Sequence, residues 1–164
     1  SSDLLAHHHV VGEHHLVDPG RIDHLVVAGV GARMFDPPRA EGAMAEAMEA
    51  ASPDEIADPM LKSFRQFADE QGEDRMALAA ASVAESAPLT PDLLGRIRMP
   101  VLVVAGQRDD LAGDPEALAR VFPRGKGVVL PGCDHFSAIP HASLKATVFD
   151  FLDGVLDDDF PAFE

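Results

Sequence analysis

Two side chains with a joint chemistry stand at matched positions in the C-terminal third of the chain. Val101-Leu-Val-Val-Ala105-Gly106-Gln107-Arg108-Asp109 reads as a buried strand that ends in a carboxylate. Val128-Val-Leu130-Pro131-Gly132-Cys133-Asp134-His135 reads as a second strand that ends in an imidazole. In a parallel sheet, side chains just past the strand C-termini meet along one edge, where ligands bind. An aspartate that accepts from one imidazole nitrogen fixes the tautomer and stabilises the cation formed when the other nitrogen takes a proton. Asp109 and His135 are therefore read as an orienting acid and a general base. Taken singly, Asp109 would be a turn-former after Gly106 and His135 a loop residue. The matched contexts, Gly-x-x-Asp after one strand and Pro-Gly-x-x-His-Phe after the next, favour the pair. Asp110 is the rival acid, since one residue of slip in the turn would exchange the two. Asp134 is expected to shape its own loop.

The pair implies elements that must position it. Residues 101–105 and 127–130 read as strands, the first of them buried, and residues 22–28 end in a nearly continuous apolar run, which suits a parallel strand covered on both faces. Asp114-Pro115 opens a helix through Arg120. A last helix is expected over residues 142–156, with Leu144, Val148, Leu152 and Val155 as its apolar stripe and Asp157-Asp-Asp159 solvated beyond it. Strand, helix, strand, helix gives a parallel sheet with right-handed crossovers. Upstream, Asp18-Pro19-Gly20 makes a turn, and residues 22–28 form another strand closed by Gly29-Val-Gly31. From Pro37 to about Gly95 the pattern is helical. Ser52-Pro53-Asp54-Glu55 reads as a helix start, with serine as cap, proline in the first position and glutamate three residues after the cap. Leu61, Phe64, Phe67 and Ala68 recur at helical spacing, a further helix is expected over residues 74–86, and Thr90-Pro91 caps a short third one. The expected organisation is one structural domain overall. Residues 1–36 hold the N-terminal segment and first core strand, residues 37–95 a helical insert, and residues 96–164 the C-terminal α/β part. The fold class is α/β, with a small parallel sheet of three or four strands.

These features are similar to the C-terminal half of the α/β-hydrolase family. Pro100-Val-Leu-Val-Val-Ala-Gly-Gln-Arg-Asp109 resembles the strand and turn that carry the family's acid. Gly113-Asp-Pro-Glu-Ala-Leu-Ala119 resembles the helix after it, and Pro131-Gly-Cys-Asp-His-Phe136 the loop that carries the base. The helical insert resembles the cap that covers the pocket in such enzymes. The resemblance implies a partial α/β-hydrolase fold and serine-based hydrolysis of an ester-like or amide-like small molecule, with no metal or cofactor. The departure lies upstream. His9-Val-Val-Gly12-Glu13 resembles the entry to the nucleophile elbow, Gly-x-Ser-x-Gly, but His14 stands in the serine's place and Leu16 in the second glycine's. Asp18-Pro19-Gly20-Arg21-Ile22 resembles the end of the family's next helix, so an internal loss of the serine and most of that helix is expected. The strands before the elbow, with one oxyanion-hole amide, are expected to be missing too. Spacing agrees with this. Parallel neighbours need a crossover of about a dozen residues or more, and only the nine from Glu13 to Arg21 separate Gly12 from Ile22. Residues 9–12 are not expected to pair in parallel beside residues 22–28.

Other groups could in principle carry chemistry. Ser1, Ser2, Ser52, Ser63, Ser82, Ser86, Ser137 and Ser143 all lack flanking glycines at the elbow spacing. Ser52 is better read as a cap, and Ser137 lies in the same loop as His135, where an in-line geometry is hard to build. Cys133 is better read as a small residue in a tight Pro-Gly turn than as a substitute nucleophile. His7, His8, His9, His14 and His15 could take zinc or nickel. Their spacing matches neither His-Glu-x-x-His nor its inverse, and an accidental run in a frayed segment is the plainer account. No dedicated metal site is expected. Gly29-Val-Gly31 followed by Met34 fails the dinucleotide fingerprint at its third glycine, which leaves no nucleotide reading.

Composition narrows the partners. The 164 residues carry 28 acidic against 13 basic side chains, a net charge of −15, which repels nucleic acid and anionic lipid. The absence of Tyr and Trp argues against stacking on sugars or bases. The single cysteine excludes an intramolecular disulfide and fits a reducing cytoplasm. No apolar run reaches membrane-span length, and the first residues lack a basic-then-apolar pattern, so a cytoplasmic protein is expected. The function read from these residues is that of a serine-hydrolase-like protein, truncated and inactive or weak without the nucleophile. The alternatives are a non-catalytic binding or oligomerising remnant, as a homo-oligomer through an exposed sheet edge, and a metal-binding protein through the N-terminal histidines.

Overall fold

A computed structural model describes residues 22–36, 42–84 and 89–156. The chain forms two compact units, one from Ser1–Asp36 and Ala87–Glu164 and the other from Pro37–Ser86.

The first unit is built on strands β1 (Leu25–Ala28), β2 (Val101–Gly106) and β3 (Gly125–Leu130), parallel and in the order β1-β2-β3, the whole sheet among the described residues. Leu25 stands opposite Val101, and Val101 opposite Gly125. Alternation along β2 explains its continuous apolar run. Leu102 and Val104 point into one cluster with Leu130, Cys133, Ala138 and Phe151, while Val101 and Val103 point into another with Leu94, Leu118, Ala119 and Phe122. Helix α5 (Pro115–Ala119), capped by Asp114, supplies Leu118 and Ala119 to the second cluster. Helix α6 (Ala142–Leu152) supplies Phe151 to the first. The short helix α4 (Pro91–Leu94) starts where expected, its Thr90 hydroxyl accepting from Leu93 N–H. The sequence pattern places it in the helical insert. Leu94 instead packs with Val101 and Phe122, so α4 belongs to the sheet-bearing unit.

The second unit holds helices α1 (Ala43–Glu49), α2 (Pro59–Gln71) and α3 (Arg75–Ser82) around Met48, Ala68 and Ala79. The start of α2 differs from the sequence reading. Ser52 caps only a 3-10 turn over Pro53–Glu55, and the helix begins at Pro59 beneath an Asp58 cap that accepts from Met60 and Leu61 N–H at 2.8 and 3.1 Å. Pro59 decides this. Without an N–H it cannot continue a helix begun at Pro53, and it pushes Asp58 into extended backbone. Leu61 and Ala68 are buried as expected, and between them lies a residue the apolar pattern did not mark. Arg65 is buried, its guanidinium donating to the carbonyls of Ala47 and Ala50 at 3.2 and 2.6 Å and to Asp69 at 3.1 Å. A cation thus satisfies the orphan carbonyls where α1 ends.

The strand boundaries also shift. β1 begins at Leu25 rather than Ile22, and β3 begins at Gly125, two residues before the expected start. In α6 the core-facing stripe is the buried Phe151 with the partly buried Leu144 and Val148, not Leu144, Val148, Leu152 and Val155. Phe151 is 0% exposed, whereas Leu152 and Val155 are 49% and 67% exposed. The helix ends at Leu152, and Gly154, at φ 77°, turns the chain so that Val155 N–H reaches Asp150 carbonyl at 2.9 Å. The expected continuation to residue 156 fails at this turn. Among the described residues no helix is long and apolar enough to cross a membrane. Phe151→Ala should cost about 3–5 kcal/mol of unfolding free energy, and Leu152→Ala about 0.5 kcal/mol or less. Urea unfolding of both variants checks the assignment, and the reverse ranking would refute it.

Candidate active site

The site is assembled where β2 and β3 end. Past Gly106 the chain turns, and the turn is bonded to the next strand's loop. Gln107 N–H donates to Leu130 carbonyl at 2.8 Å, Arg108 N–H to Cys133 carbonyl at 2.8 Å, and Asp109 N–H back to Gly106 carbonyl at 3.0 Å. Glycine is required at position 106 for space. A Cβ there would collide with the Cys133 carbonyl oxygen and lie 2.8 Å from its carbon. Two side chains add to the seam: Gln107 Oε1 accepts from Gly132 N–H at 3.1 Å, and the Arg108 guanidinium donates to Gly132 carbonyl.

Asp109 is held from its own loop. Its side chain is fully buried, and Oδ1 accepts from Leu111 and Ala112 N–H at 3.1 and 2.9 Å. His135 Nδ1 lies 3.1 Å from Oδ1 and 3.0 Å from Oδ2. A carboxylate only accepts, so Nδ1 carries the shared hydrogen. The imidazole is 24% exposed and packs edge-on against Phe136, centroids 5.4 Å apart. Gly29, at φ 71°, also lies against the ring, where a Cβ would come within 3.3 Å of His135 Cε1. The tip of β1 therefore walls the imidazole, and only glycine meets both the backbone and the spatial demand. Gly31 and Arg33 belong to the segment beyond it, which is tied to the acid's loop through Ala32 N–H to Asp114 carbonyl (3.0 Å) and Arg33 N–H to Ala112 carbonyl (3.1 Å). Gly29-Val-Gly31 is thus a structural element beside the pair.

The structure brings Asp109 and His135 together, and places Asp110 outside the pair as an exposed residue. Asp134 and Ser137 close a reciprocal box around His135. Ser137 N–H and hydroxyl donate to Asp134 Oδ1 at 2.8 and 2.7 Å, and Asp134 N–H donates to Ser137 Oγ at 2.9 Å. These bonds, the backbone N–H first, hold the Asp134 carboxyl below its ordinary pKa, with Arg108 adding a smaller attraction. Ser137 is therefore spent on the loop. Cys133 is buried in the core beside Leu102 and Phe151. Ser52 serves as a cap, and the Ser63 and Ser82 hydroxyls donate to helix carbonyls of their own unit. His7, His8, His9, Gly12, His14, His15, Leu16, Ser1, Ser2 and Ser86 lie outside the described residues, so the elbow remnant, the pairing of residues 9–12 and the histidine cluster are not described. A cleft of about 290 Å³ opens beside the acid's turn, lined by residues that include Arg33, Gln107, Asp110, Asp114 and Val129. The sequence reading missed Gly29, Gln107 and Arg108 as parts of the site, because their roles come from contacts across strands.

No family model matches the sequence, and no curated protein does. Solved structures do match. An esterase of Thermogutta terrifontis, solved with malate bound, aligns over 86% of this chain and 59% of its own, with TM-score 0.60 and 24% identity. A 2-hydroxy-6-oxo-6-phenylhexa-2,4-dienoate hydrolase of Rhodococcus sp. strain RHA1 aligns over 83% and 57%, with TM-score 0.55 and 18% identity. An N-acyl homoserine lactone degrading enzyme aligns over 82% and 60%, with TM-score 0.53 and 17% identity. The chain carries part of the α/β-hydrolase fold. It spans less than two thirds of the length of each of these structures. Within this portion of the α/β-hydrolase fold, the loops that carry Asp109 and His135 follow neighbouring parallel strands, β2 and β3.

The Asp134–Ser137 box gives a pH signature. Because the folded pKa of Asp134 is lowered, its contribution is present above the unfolded pKa and is lost as pH falls through the folded one. The Ser137 amide should keep its protected chemical shift until pH drops below the ordinary aspartate range, and Asp134→Asn should remove that transition. A midpoint at or above the ordinary value would show that the box does not form.

Proposed function

We propose that this chain supplies the general base and orienting acid of a serine hydrolase that acts on a small ester-like or amide-like substrate. The observation that supports this is His135 Nδ1 at 3.0 Å from a buried Asp109 that also accepts two backbone N–H groups. With Nδ1–H fixed on the carboxylate, Nε2 is the nitrogen left to take a proton from an attacking hydroxyl. The resulting imidazolium is stabilised by Asp109, and it returns the proton to the leaving group. The matched structures include, by their own descriptions, an esterase, a hydrolase and a lactone degrading enzyme, and a lactone is a cyclic ester. The helical stretch between the sheet-forming parts corresponds, in this reading, to the cap insert. No step requires a metal or a cofactor.

The attacking hydroxyl is the missing component. The 164 residues contain no Gly-x-Ser-x-Gly segment, and Ser137 is engaged by Asp134. Without a nucleophile, a base and its acid leave only a residual rate. The polypeptide should hydrolyse p-nitrophenyl acetate near the buffer rate and take up no stoichiometric fluorophosphonate label. Brisk turnover lost in His135→Ala, with one serine labelled, would contradict the inactive part of this proposal.

A second reading, a non-catalytic binding or oligomerising module, is favoured by the apolar side chains exposed near the end of α6, Phe149 (63%), Leu152 and Val155. Under it, sedimentation velocity should show a concentration-dependent dimer that Phe149→Ser with Leu152→Ser abolishes. A monomer at all concentrations would dismiss a homo-oligomer through this face.

A further inference from the structure

We infer that Gln107 and Arg108 are positioning residues that set the His135 imidazole on Asp109 by gripping the Gly132 peptide units. The inference rests on the reading of Asp109 and His135 as acid and base, and extends it to the device that aligns them.

The geometry is specific. Both side chains leave the turn that carries Asp109, and both end on the same residue of the other loop. Gln107 Oε1 accepts from Gly132 N–H at 3.1 Å, and the Arg108 guanidinium donates to Gly132 carbonyl. Gly132 is where the base's loop reverses, at φ 70°, with open space around a built Cβ. Gly132 is exposed, so its conformation depends on the hydrogen bonds made to its two peptide units. Gln107 satisfies the N–H on one side of the Gly132 Cα, and Arg108 satisfies the carbonyl on the other. Together they fix both peptide planes at the hinge, three residues before His135. The backbone bonds from Gln107 and Arg108 N–H to Leu130 and Cys133 then bracket the same segment. Downstream, the Asp134–Ser137 box fixes the chain on the far side of His135. The imidazole thus stands between a clamp built from the acid's turn and a turn closed on itself. Only the first links its position to that of Asp109.

Gln107 and Arg108 are exposed, so changing them should leave the core intact and move the site. The readout is the proton NMR signal of His135 Nδ1–H, which persists against solvent exchange only while it is bonded to the buried carboxylate. In the unaltered chain it should be present, and Asp109→Asn should abolish it. Arg108→Ala and Gln107→Leu should each broaden or remove the signal while the thermal midpoint moves little. Arg108→Lys and Gln107→Glu, which keep a donor and an acceptor, should restore it. A merely structural role would lower the thermal midpoint and leave the signal in place. An unchanged signal in both Arg108→Ala and Gln107→Leu would overturn the inference and leave the acid–base reading standing. Absence of any Asp109-dependent signal in the unaltered chain would remove both.

Discussion

A backbone approach at the ends of β2 and β3 makes the rest of the site depend on one position. Where Gly106 meets the Cys133 carbonyl there is no room for a side chain. That closeness lets Gln107 and Arg108 N–H reach the Leu130 and Cys133 carbonyls, so two loops that could have moved separately are joined. Asp109 and His135 sit on opposite sides of this seam. Their separation is set by these backbone bonds together with the Gln107 and Arg108 side chains that hold Gly132, and the hydrogen bond between them forms in a position so prepared. Asp109 is held in turn by two amides of its own loop, both on Oδ1, while the imidazole meets Oδ2, so both oxygens of the buried carboxylate are satisfied.

The sheet carries the seam because both of its faces are covered. β2 is buried along its whole length, with α5 on one face and α6, through Phe151, on the other. The tip of β1 completes the wall through Gly29 and is tied to the acid's loop by Ala32 and Arg33. Three strand ends thus contribute Asp109, His135 and the surface on which the imidazole rests. The helical unit follows a different logic. Its core is small and alanine-rich, and a buried Arg65 binds the end of α1 to α2 through carbonyls and Asp69. Arg65 serves that unit as a structural element.

Much of this was legible in the sequence, for identifiable reasons. An apolar run that ends in Gly-x-x-Asp states both a buried strand and the side chain at its tip, and Asp109 rather than Asp110 met the imidazole. Pro-Gly followed by Asp-His-Phe-Ser marks a turn, and the structure places the histidine of that turn against the acid. Capping chemistry located the starts of α4 and α5 correctly, but misjudged α2, because Ser52-Pro53 and Asp58-Pro59 are both good starts and only the second proline stops the first. The stripe of α6 was misread by one residue, since Phe151 and Leu152 are equally apolar and the early helix end at Gly154 is set by the turn. Arg65, Gly29, Gln107 and Arg108 were not legible. Each acts on residues distant in sequence, and a buried arginine, an ordinary-looking glycine and two exposed polar side chains give no periodic signal.

The central claim is that Asp109 fixes His135 in the tautomer that leaves Nε2 as the basic nitrogen. Nitrogen-15 chemical shifts of the His135 ring, recorded at alkaline pH where the imidazole is neutral, measure this directly. The expected result is a protonated Nδ1 and an unprotonated Nε2, with the two nitrogens drifting toward a mixture in Asp109→Asn. A neutral ring protonated mainly at Nε2 would contradict it.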